Sequence, residues 1–298
     1  MYAKKQWRKY VSIYPFDRSA IQEGIAIEDY HNREINPGLS STNFRHISTS
    51  PEYAYHKRMH PGKQTKDMQE GSMLHSIITE PETFEDHYML TPKINRQSKA
   101  GKEAYAKYME EADGKQLVNQ DQWDMALQVR DSVKANREAN LLISGTAPHH
   151  TRVEVSGFLY NKDKQTVKAR PDVISKYPVM SLADIKSRQG GAAARDIFLK
   201  DLINHKIYLQ AALQVYVWES AGIPIENYYY ILVEKAPPFQ AVVYPLDRQF
   251  IDLGIIELND LSIRWERWME DPTPGYGYYQ QRLEPPAWFI KKHGDSDE

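Results

Sequence analysis

Alternating apolar and polar residues in the middle of the chain predict a set of β-strands. The polar stretch 161–165 separates the first two runs and is typical of a hairpin turn, and Tyr177 with Pro178 marks the turn before the third. A turn containing Pro237 and Pro238 joins the last two runs. The predicted strands cover residues 151–160, 167–175, 179–186, 228–234 and 241–246.

Segments with helical start and stop signals lie on both sides of these strands. Ser50 is placed to cap a helix whose first residue is Pro51, a position that proline favours. Asp67 is placed to cap the next helix, with Glu70 at the capping-box position and Pro81 as its stop. The predicted helices cover residues 38–47, 50–57, 67–80, two segments within 103–143, and residues 192–221 and 247–269.

Length and composition favour one large domain. A chain of 298 residues with 41% hydrophobic content can bury a sizeable core. Residues 1–35 mix aromatic, charged and polar groups without a clear period, so we interpret them as an N-terminal extension. We assign residues 36–270 to the domain and residues 271–298, rich in Pro, Gly and Tyr, to an irregular tail.

Charge and cysteine content narrow the class of protein. The 38 basic and 40 acidic residues give a net charge of -2, so there is no overall basic field and any DNA contact must come from local patches. The absence of cysteine excludes disulfides, thiolate zinc sites and cysteine-held iron–sulfur clusters. No apolar run reaches the length of a membrane span, and no signal-peptide core follows the polar start. We therefore expect a soluble, cytoplasmic protein.

The strands at 167–175 and 179–186 carry the strongest chemical signal. Asp184 and Lys186 are two residues apart, so the strand period places their side chains on one face. Asp172 lies in the neighbouring strand, where pairing across the turn could bring its carboxylate beside that of Asp184. Burying two carboxylates and a lysine is costly unless a cation or a substrate uses them. The alternative is a pair of surface carboxylates with a lysine partner.

A divalent ion held by carboxylates, with a lysine beside it, is a known arrangement for cutting phosphodiesters. Here the sequence resembles the PD-(D/E)xK nucleases, with Pro171-Asp172 as the first element and Asp184-Ile185-Lys186 as the second. The resemblance implies an α/β fold: a central mixed sheet flanked by helices, with helical additions on the N-terminal side.

Two further motifs resemble the RecB-like branch of this superfamily. Gly71 and His75, followed by Glu80 and Pro81, resemble its first motif; the alternative is a packed helix with an ordinary polar histidine. In the long helix, Gln210 resembles the start of a Gln-x-x-x-Tyr motif. The match there is imperfect, because Gln214 stands where the tyrosine is expected and a tyrosine follows only at position 216.

Within that branch the chain resembles the RecE-type (exonuclease VIII-like) exonucleases of phages and prophages. The resemblance implies a magnesium-dependent 5′-to-3′ exonuclease, with Mn²⁺ as an alternative ion, that acts on double-stranded DNA ends. Its 3′ single-stranded tails would serve a single-strand annealing recombinase. The resemblance also implies a homo-oligomer, with a tetrameric ring favoured over a trimer.

The same resemblance assigns roles to individual residues. It implies metal ligation by His75, Asp172, Asp184 and the carbonyl of Ile185, and activation of water by Lys186. Further catalytic candidates are Glu80, Glu154 and Gln210.

Candidates for DNA contact come from two basic segments. Arg45, with Ser41 or Thr42, is a candidate for a 5′ phosphate, because a helix N-terminus with hydroxyls suits an anion. Lys93, Arg96 and Lys99 belong to a run without acidic residues, which could follow a phosphate backbone or form a solvated loop.

Two other functions stay open. One is a RecB-like nuclease of other polarity, or an endonuclease in repair or defence, and the other is a non-catalytic DNA-binding protein with this fold.

Overall fold

The computed structural model describes residues 16–92, 94, 97–144, 151–153, 155–162, 164–176, 178–272, 284, 285 and 287. The first 15 residues of the predicted N-terminal extension and most of the predicted tail lie outside these residues. Within the described part of the chain, no helix is both long enough and apolar enough to cross a lipid bilayer.

The described part of the chain contains helices and strands in mixed order, with a group of helices near its start and a group of strands in its middle. The helices are α1 (Ile27–His31), α2 (Ser41–Thr49), α3 (Pro51–Met59), α4 (Lys66–Thr79), α5 (Phe84–His87), α6 (Lys99–Ala112), α7 (Gln120–Ala135), α8 (Arg137–Ser144), α9 (Arg195–Asn204), α10 (Tyr208–Ser220) and α11 (Arg248–Glu270). The strands are β1 (Arg18–Gln22), β2 (Tyr88–Leu90), β3 (Gln116–Val118), β4 (Thr151–Val153), β5 (Ser156–Asn161), β6 (Lys164–Ala169), β7 (Val173–Ser175), β8 (Ser181–Arg188), β9 (Asn227–Glu234) and β10 (Ala241–Pro245).

A five-stranded mixed sheet forms the centre of the fold. Its strand order is β10-β9-β8-β7-β4, with β8 and β9 parallel and the other neighbours antiparallel. Apolar side chains of α4, α7 and α8 pack with Ala183 and Ile185 on one face of this sheet. Side chains of α10 and α11 pack with Leu182 and Tyr230 on the other face. The predicted α/β fold with a mixed sheet between helices is therefore confirmed.

The predicted strands at 151–160 and 167–175 are each divided between two sheets. β4 pairs with β7 in the central sheet, whereas β5 pairs with β6 and with β1 in a three-stranded antiparallel sheet. Phe158 and Leu159 of β5 are fully buried, and a side chain at Gly157 would collide with Trp218 of α10. The prediction of two unbroken strands was wrong, because packing on α10 draws β5 and β6 into a sheet of their own. Residues 170–172 lie where the chain crosses back.

The predicted long helix at 192–221 is also divided. α9 ends at Asn204, and Lys206 adopts a left-handed conformation with φ of 50° before α10 begins at Tyr208. The Lys206 ammonium and the Tyr208 hydroxyl both bind the carboxylate of Glu257 in α11. These contacts hold the break against α11 and fix the first turn of α10. The segment 103–143 similarly holds parts of three helices, α6, α7 and α8, rather than the two predicted.

The helix caps follow the sequence signals in one case and not in another. The Ser50 side chain accepts the Tyr53 N–H, and Pro51 begins α3, as predicted. In α4, however, the capping side chain is Thr65, which accepts the Met68 N–H. The predicted cap Asp67 and capping-box Glu70 instead bind the ammonium of Lys235, a distant residue at the end of β9.

Candidate active site

Strand pairing brings the two predicted aspartates together. β7 and β8 pair Val173 with Ala183, so Asp172, immediately before β7, comes opposite Asp184. The Asp172 carboxylate accepts the backbone N–H of Ile185 at 2.6 Å. Asp184 is fully buried on the α10 side of β8. Lys186 lies two residues further along the same face, and its ammonium contacts the Asp184 carboxylate. The predicted cluster therefore exists as a unit.

The Gln210 side chain of α10 bridges Asp184 and Lys186. Its Nε2 donates to Asp184 Oδ1 at 2.6 Å, and its Oε1 accepts from Lys186 Nζ at 3.1 Å. One amide thus fixes the side chains of both β8 residues. Because α10 begins at Tyr208, Gln210 lies in the first turn of this helix, next to Asp184 and Lys186.

Gln214, one turn later, holds the backbone near Asp172, a role that the sequence did not predict. It accepts the Tyr228 hydroxyl at 2.6 Å and donates to the Arg170 carbonyl at 3.0 Å. It therefore holds the backbone two residues before Asp172. Tyr216, the displaced tyrosine of the motif, is buried and packs edge-to-face on Phe16.

α4 presents His75 to the cluster. Its Nδ1 lies 3.5 Å from Asp172 Oδ2. Gly71, one turn earlier, lines the same cavity, but the close backbone approach expected at this glycine is not found among the described residues. A Cβ there would have Ser187 Oγ, at 3.8 Å, as its only neighbour within 4 Å.

Burial and like charge strongly perturb one carboxyl group. Burial and, to a smaller extent, the neighbouring Asp184 charge together raise the pKa of Asp172 to about 6, although His75 and Lys186 partly oppose the shift. A carboxylate pair that resists full ionisation is the environment that a divalent cation relieves.

The donor set fits a hard divalent ion. Asp184 Oδ2 is buried and has no hydrogen-bond donor of good geometry; its neighbour is the Lys186 ammonium. Carboxylate oxygens suit Mg²⁺, and imidazole extends the set to transition metals. Among the described residues, no three His, Asp or Glu side chains form a ready-made metal group. His75 nevertheless lies beside Asp172, and Asp172 lies opposite Asp184, so these three residues stay the candidate ligands predicted from the sequence.

The cluster opens into a cavity of about 1110 Å³. The N-terminus of α2 contributes Ser41, Thr42 and Arg45 to its lining, and the C-terminal cap of α4 contributes Glu80. Four residues predicted from separate sequence segments therefore share one cavity with Asp172 and Lys186.

Arg45 is a cation held close to the carboxylates. Burial lowers its pKa, and the charge of Asp184 opposes that shift. Its Nη2 donates to Thr42 Oγ1 at 3.1 Å, whereas its buried Nε has no partner among the described residues. A half-buried guanidinium with spare donor capacity suits an anion such as phosphate.

Residues between 25 and 31 form a wall of the cavity that was not predicted. Lys168 Nζ donates to the carbonyls of Tyr30 and Asn36 at 2.6 and 2.8 Å, and Arg170 Nη2 donates to the Ile25 carbonyl at 2.7 Å. Burial lowers the pKa of Lys168 to about 8. The two-residue spacing of Lys168 and Arg170 is visible in the sequence, but their backbone acceptors are more than a hundred residues away.

Several predicted residues stay untested. Glu154, Lys93 and Arg96 lie outside the described residues. Lys99 begins α6 and is exposed, and it is not among the described residues that line the cavity. Ile185 contributes its N–H to Asp172, and ligation by its carbonyl remains a prediction.

Comparison with known proteins places this site in a family. Residues 40–276 match the family described as PDDEXK-like domain of unknown function (DUF3799). The fold is similar to the crystal structure of a "Putative exonuclease" from Eubacterium rectale, with a TM-score of 0.54 and 11% identity, covering 92% of this chain and 100% of that one. A crystal structure of SSO0001 matches with a TM-score of only 0.27 and 14% identity, covering 68% of this chain and 87% of that one.

No curated protein matches the sequence. The family match nevertheless spans most of the chain, and it includes both aspartates, the lysine and the glutamine that joins them. Nucleases with this motif generally use divalent metal ions, which agrees with the donor set. The chain belongs to the family of PDDEXK-like domains and has the fold of a PD-(D/E)xK nuclease.

Proposed function

We propose that this protein is a deoxyribonuclease of the RecE type, which degrades double-stranded DNA from its ends in the 5′-to-3′ direction. The observation that carries the proposal is the joined set of Asp172, Asp184, Lys186 and Gln210 at the wall of a large cavity. The fold similarity to a protein named as an exonuclease supports action at ends.

The residues of the cluster divide the chemistry between them. His75, Asp172 and Asp184 would hold Mg²⁺, with Mn²⁺ as an alternative ion. The ion would activate water and neutralise charge on the phosphate. Lys186, oriented by Asp184 and Gln210, is placed to donate to the attacking water or to a phosphate oxygen. Glu80 faces the same cavity as a further candidate for proton transfer.

End recognition is proposed for the N-terminus of α2. Its first helical residues, Ser41 and Thr42, and the half-buried Arg45 line the cavity. Backbone N–H groups of a helix start, hydroxyls and a guanidinium together suit a terminal 5′ phosphate.

The cellular role follows from the product. Resection from 5′ ends leaves 3′ single strands, which a single-strand annealing recombinase would bind, and we propose that this occurs in the cytoplasm. We further propose that the protein acts as a homo-oligomeric ring, with a tetramer favoured over a trimer and with Lys93, Arg96 and Lys99 along its DNA channel.

One digestion assay tests the proposal. Linear duplex DNA, labelled at either the 5′ or the 3′ ends, is incubated with the protein with and without Mg²⁺. Early release of the 5′ label, only with Mg²⁺, is expected. Early release of the 3′ label would indicate the opposite polarity, and cutting of circular duplex would indicate an endonuclease. No metal-dependent cleavage of any DNA would favour a non-catalytic DNA-binding protein.

A further inference from the structure

Gln214 is a buried polar residue among the apolar residues of α10. Every residue from Leu209 to Trp218 except Gln210 is buried, and Gln214 is only 2% exposed. Burying a side-chain amide costs free energy unless its polar atoms are paired. Replacing a buried hydrogen-bonded pair by apolar groups of the same shape can be nearly neutral, so packing alone does not account for an amide at this position.

The amide joins Tyr228 of β9 to the backbone that precedes Asp172. The Tyr228 hydroxyl donates to Gln214 Oε1 at 2.6 Å, and Gln214 Nε2 donates to the Arg170 carbonyl at 3.0 Å. Burial raises the pKa of Tyr228 well above its usual range, so the hydroxyl stays protonated and able to donate. Tyr228 therefore fixes the direction of the amide, with its oxygen towards the tyrosine and its nitrogen towards the carbonyl.

The backbone that Gln214 binds belongs to neither neighbouring strand. Arg170, Pro171 and Asp172 lie between the end of β6 and the start of β7. Pro171 has a fixed φ and no N–H, so it adds no hydrogen bond to either sheet. With only this stiff residue in between, the position of the Arg170 carbonyl largely determines where the backbone of Asp172 lies. The hydrogen bond from Gln214 thus holds Asp172 from one side, and the Ile185 N–H holds its carboxylate from the other.

We propose that Gln214, oriented by Tyr228, is a positioning residue that places Asp172 for metal binding. Both ends of its amide are used within the protein, so it acts through the Arg170 carbonyl and not by contact with the ion or the DNA. Groups that orient a metal ligand typically contribute about 10- to 100-fold in metal affinity or activity. The inference rests on the proposed nuclease function, because it takes Asp172 as a ligand of the ion.

Gln214→Met tests the proposal, because methionine keeps the length of the side chain but offers no N–H to the Arg170 carbonyl. Tyr228→Phe removes only the hydroxyl that orients the amide. Tyr244→Phe is the matched control: its hydroxyl donates to the Ala193 carbonyl at 3.0 Å, and neither residue is among the described residues that line the cavity. Mg²⁺ affinity is measured by calorimetry without DNA, cleavage of linear duplex by steady-state kinetics, and folding by thermal denaturation in EDTA.

We expect Gln214→Met to weaken Mg²⁺ binding by about tenfold. At Mg²⁺ concentrations near the wild-type dissociation constant, kcat should fall severalfold, while the KM for DNA stays within about twofold of the wild type. Tyr228→Phe should cause smaller losses in the same direction. The double variant should bind Mg²⁺ no more weakly than Gln214→Met, because both side chains act through one carbonyl. Tyr244→Phe should leave Mg²⁺ affinity and kinetics unchanged.

Unchanged Mg²⁺ affinity in Gln214→Met would overturn the proposal. So would equal losses in Gln214→Met and Tyr244→Phe, which would indicate a general loosening of the fold. A raised KM with unchanged Mg²⁺ affinity would show that Gln214 contacts DNA instead. If Gln214→Met does not fold, Tyr228→Phe, which lacks a single oxygen atom, decides in its place by the same measurements.

Failure of the proposed function gives a different result. A wild-type protein that binds Mg²⁺ but cleaves no DNA would contradict the nuclease function alone, because calorimetry still measures the effect of Gln214 on the ion. Absence of Mg²⁺ binding in the wild type would overturn both.

Discussion

The side chain of Lys186 is fixed in position by two neighbouring residues of the site. Its ammonium contacts Asp184 and donates to Gln210, and both partners lie on rigid elements. In the proposed reaction this lysine acts on the water and the phosphate and does not bind the ion. Lys186→Ala should therefore reduce cleavage of linear duplex by at least about a hundredfold.

The same variant should keep its Mg²⁺ and DNA affinities within a few-fold of the wild type, as measured by calorimetry and anisotropy. Lys176→Ala, at an exposed lysine after β7, is the control and should cleave normally. Cleavage at the wild-type rate by Lys186→Ala would remove the lysine from the active site.

Asp172 should make the metal-free protein less stable at neutral pH. Its pKa in the folded protein is raised to about 6, above its ordinary value of 3.8, so the folded state binds this proton more tightly than the unfolded state. Its contribution to the free energy of unfolding is therefore lost as pH rises from about 4 to about 6 and stays absent above that range.

Asp172→Asn removes this penalty. In EDTA, the variant should become more stable than the wild type as pH rises from 4 to 7. The difference between their free energies of unfolding should increase over this range by no more than about 3 kcal/mol. Urea denaturation at several pH values measures this difference. Added Mg²⁺ should stabilise the wild type and not the variant. A difference between the two proteins that does not vary with pH would contradict the prediction.

At the scale of elements, the position of α4 depends on a contact with the end of β9. Lys235 Nζ lies 2.8 Å from Asp67 Oδ1 and 3.0 Å from Glu70 Oε2, and its side chain is only 8% exposed. Its backbone N–H donates to the Arg188 carbonyl at the end of β8. Lys235 thus links the first turns of α4, which carries His75, to β8, which carries the proposed catalytic residues Asp184 and Lys186.

Lys235→Met should loosen this link while keeping the bulk of the side chain. Glu70 would be left half-buried without its main partner, so we expect a loss of about 1–3 kcal/mol in the free energy of unfolding. The Mg²⁺ concentration for half-maximal cleavage should rise several-fold, because His75 is held less firmly, and calorimetry should show the same change.

Lys66→Met is the matched control. Lys66 lies 3.9 Å from the same Glu70, but its side chain is 77% exposed, so its removal should change neither quantity measurably. Lys235→Arg should restore much of the Mg²⁺ affinity. Equal effects of the two methionine variants would show that Lys235 has no special part in placing α4.

The limits of prediction from sequence also become clear at this scale. The shared face of Asp184 and Lys186 follows from the strand period alone, so local geometry was sufficient. Asp172 was placed correctly as a neighbour, although its strand is cut short where the chain crosses between sheets. That crossing depends on how β5 packs on Trp218, which no local pattern encodes. Tertiary contacts likewise decide the helix break at Lys206 and the true partners of Asp67.

At the scale of the whole molecule, we expect DNA binding to depend on where the charges lie more than on the net charge. The chain carries -2 overall, yet Arg45, Lys168, Arg170 and Lys186 all line one cavity. The same cavity is also lined by the acidic residues Glu28, Glu80 and Asp172, so the four cations can attract a phosphate chain only at short range, and the molecule as a whole offers little long-range attraction to DNA. A monomer of this kind would bind an end and then release it readily.

Degradation of long DNA by such a molecule requires a second means of retention, and a closed ring supplies one. A closed point-group assembly surrounds the duplex, so the protein stays on its substrate without strong surface attraction. We therefore expect a tetramer by light scattering at working concentrations, rather than the trimer. Digestion of labelled duplex in the presence of excess unlabelled competitor should show many cuts per binding event. A monomer that degrades long duplex through many successive cuts would exclude the ring, and retention would then depend on the cavity wall alone.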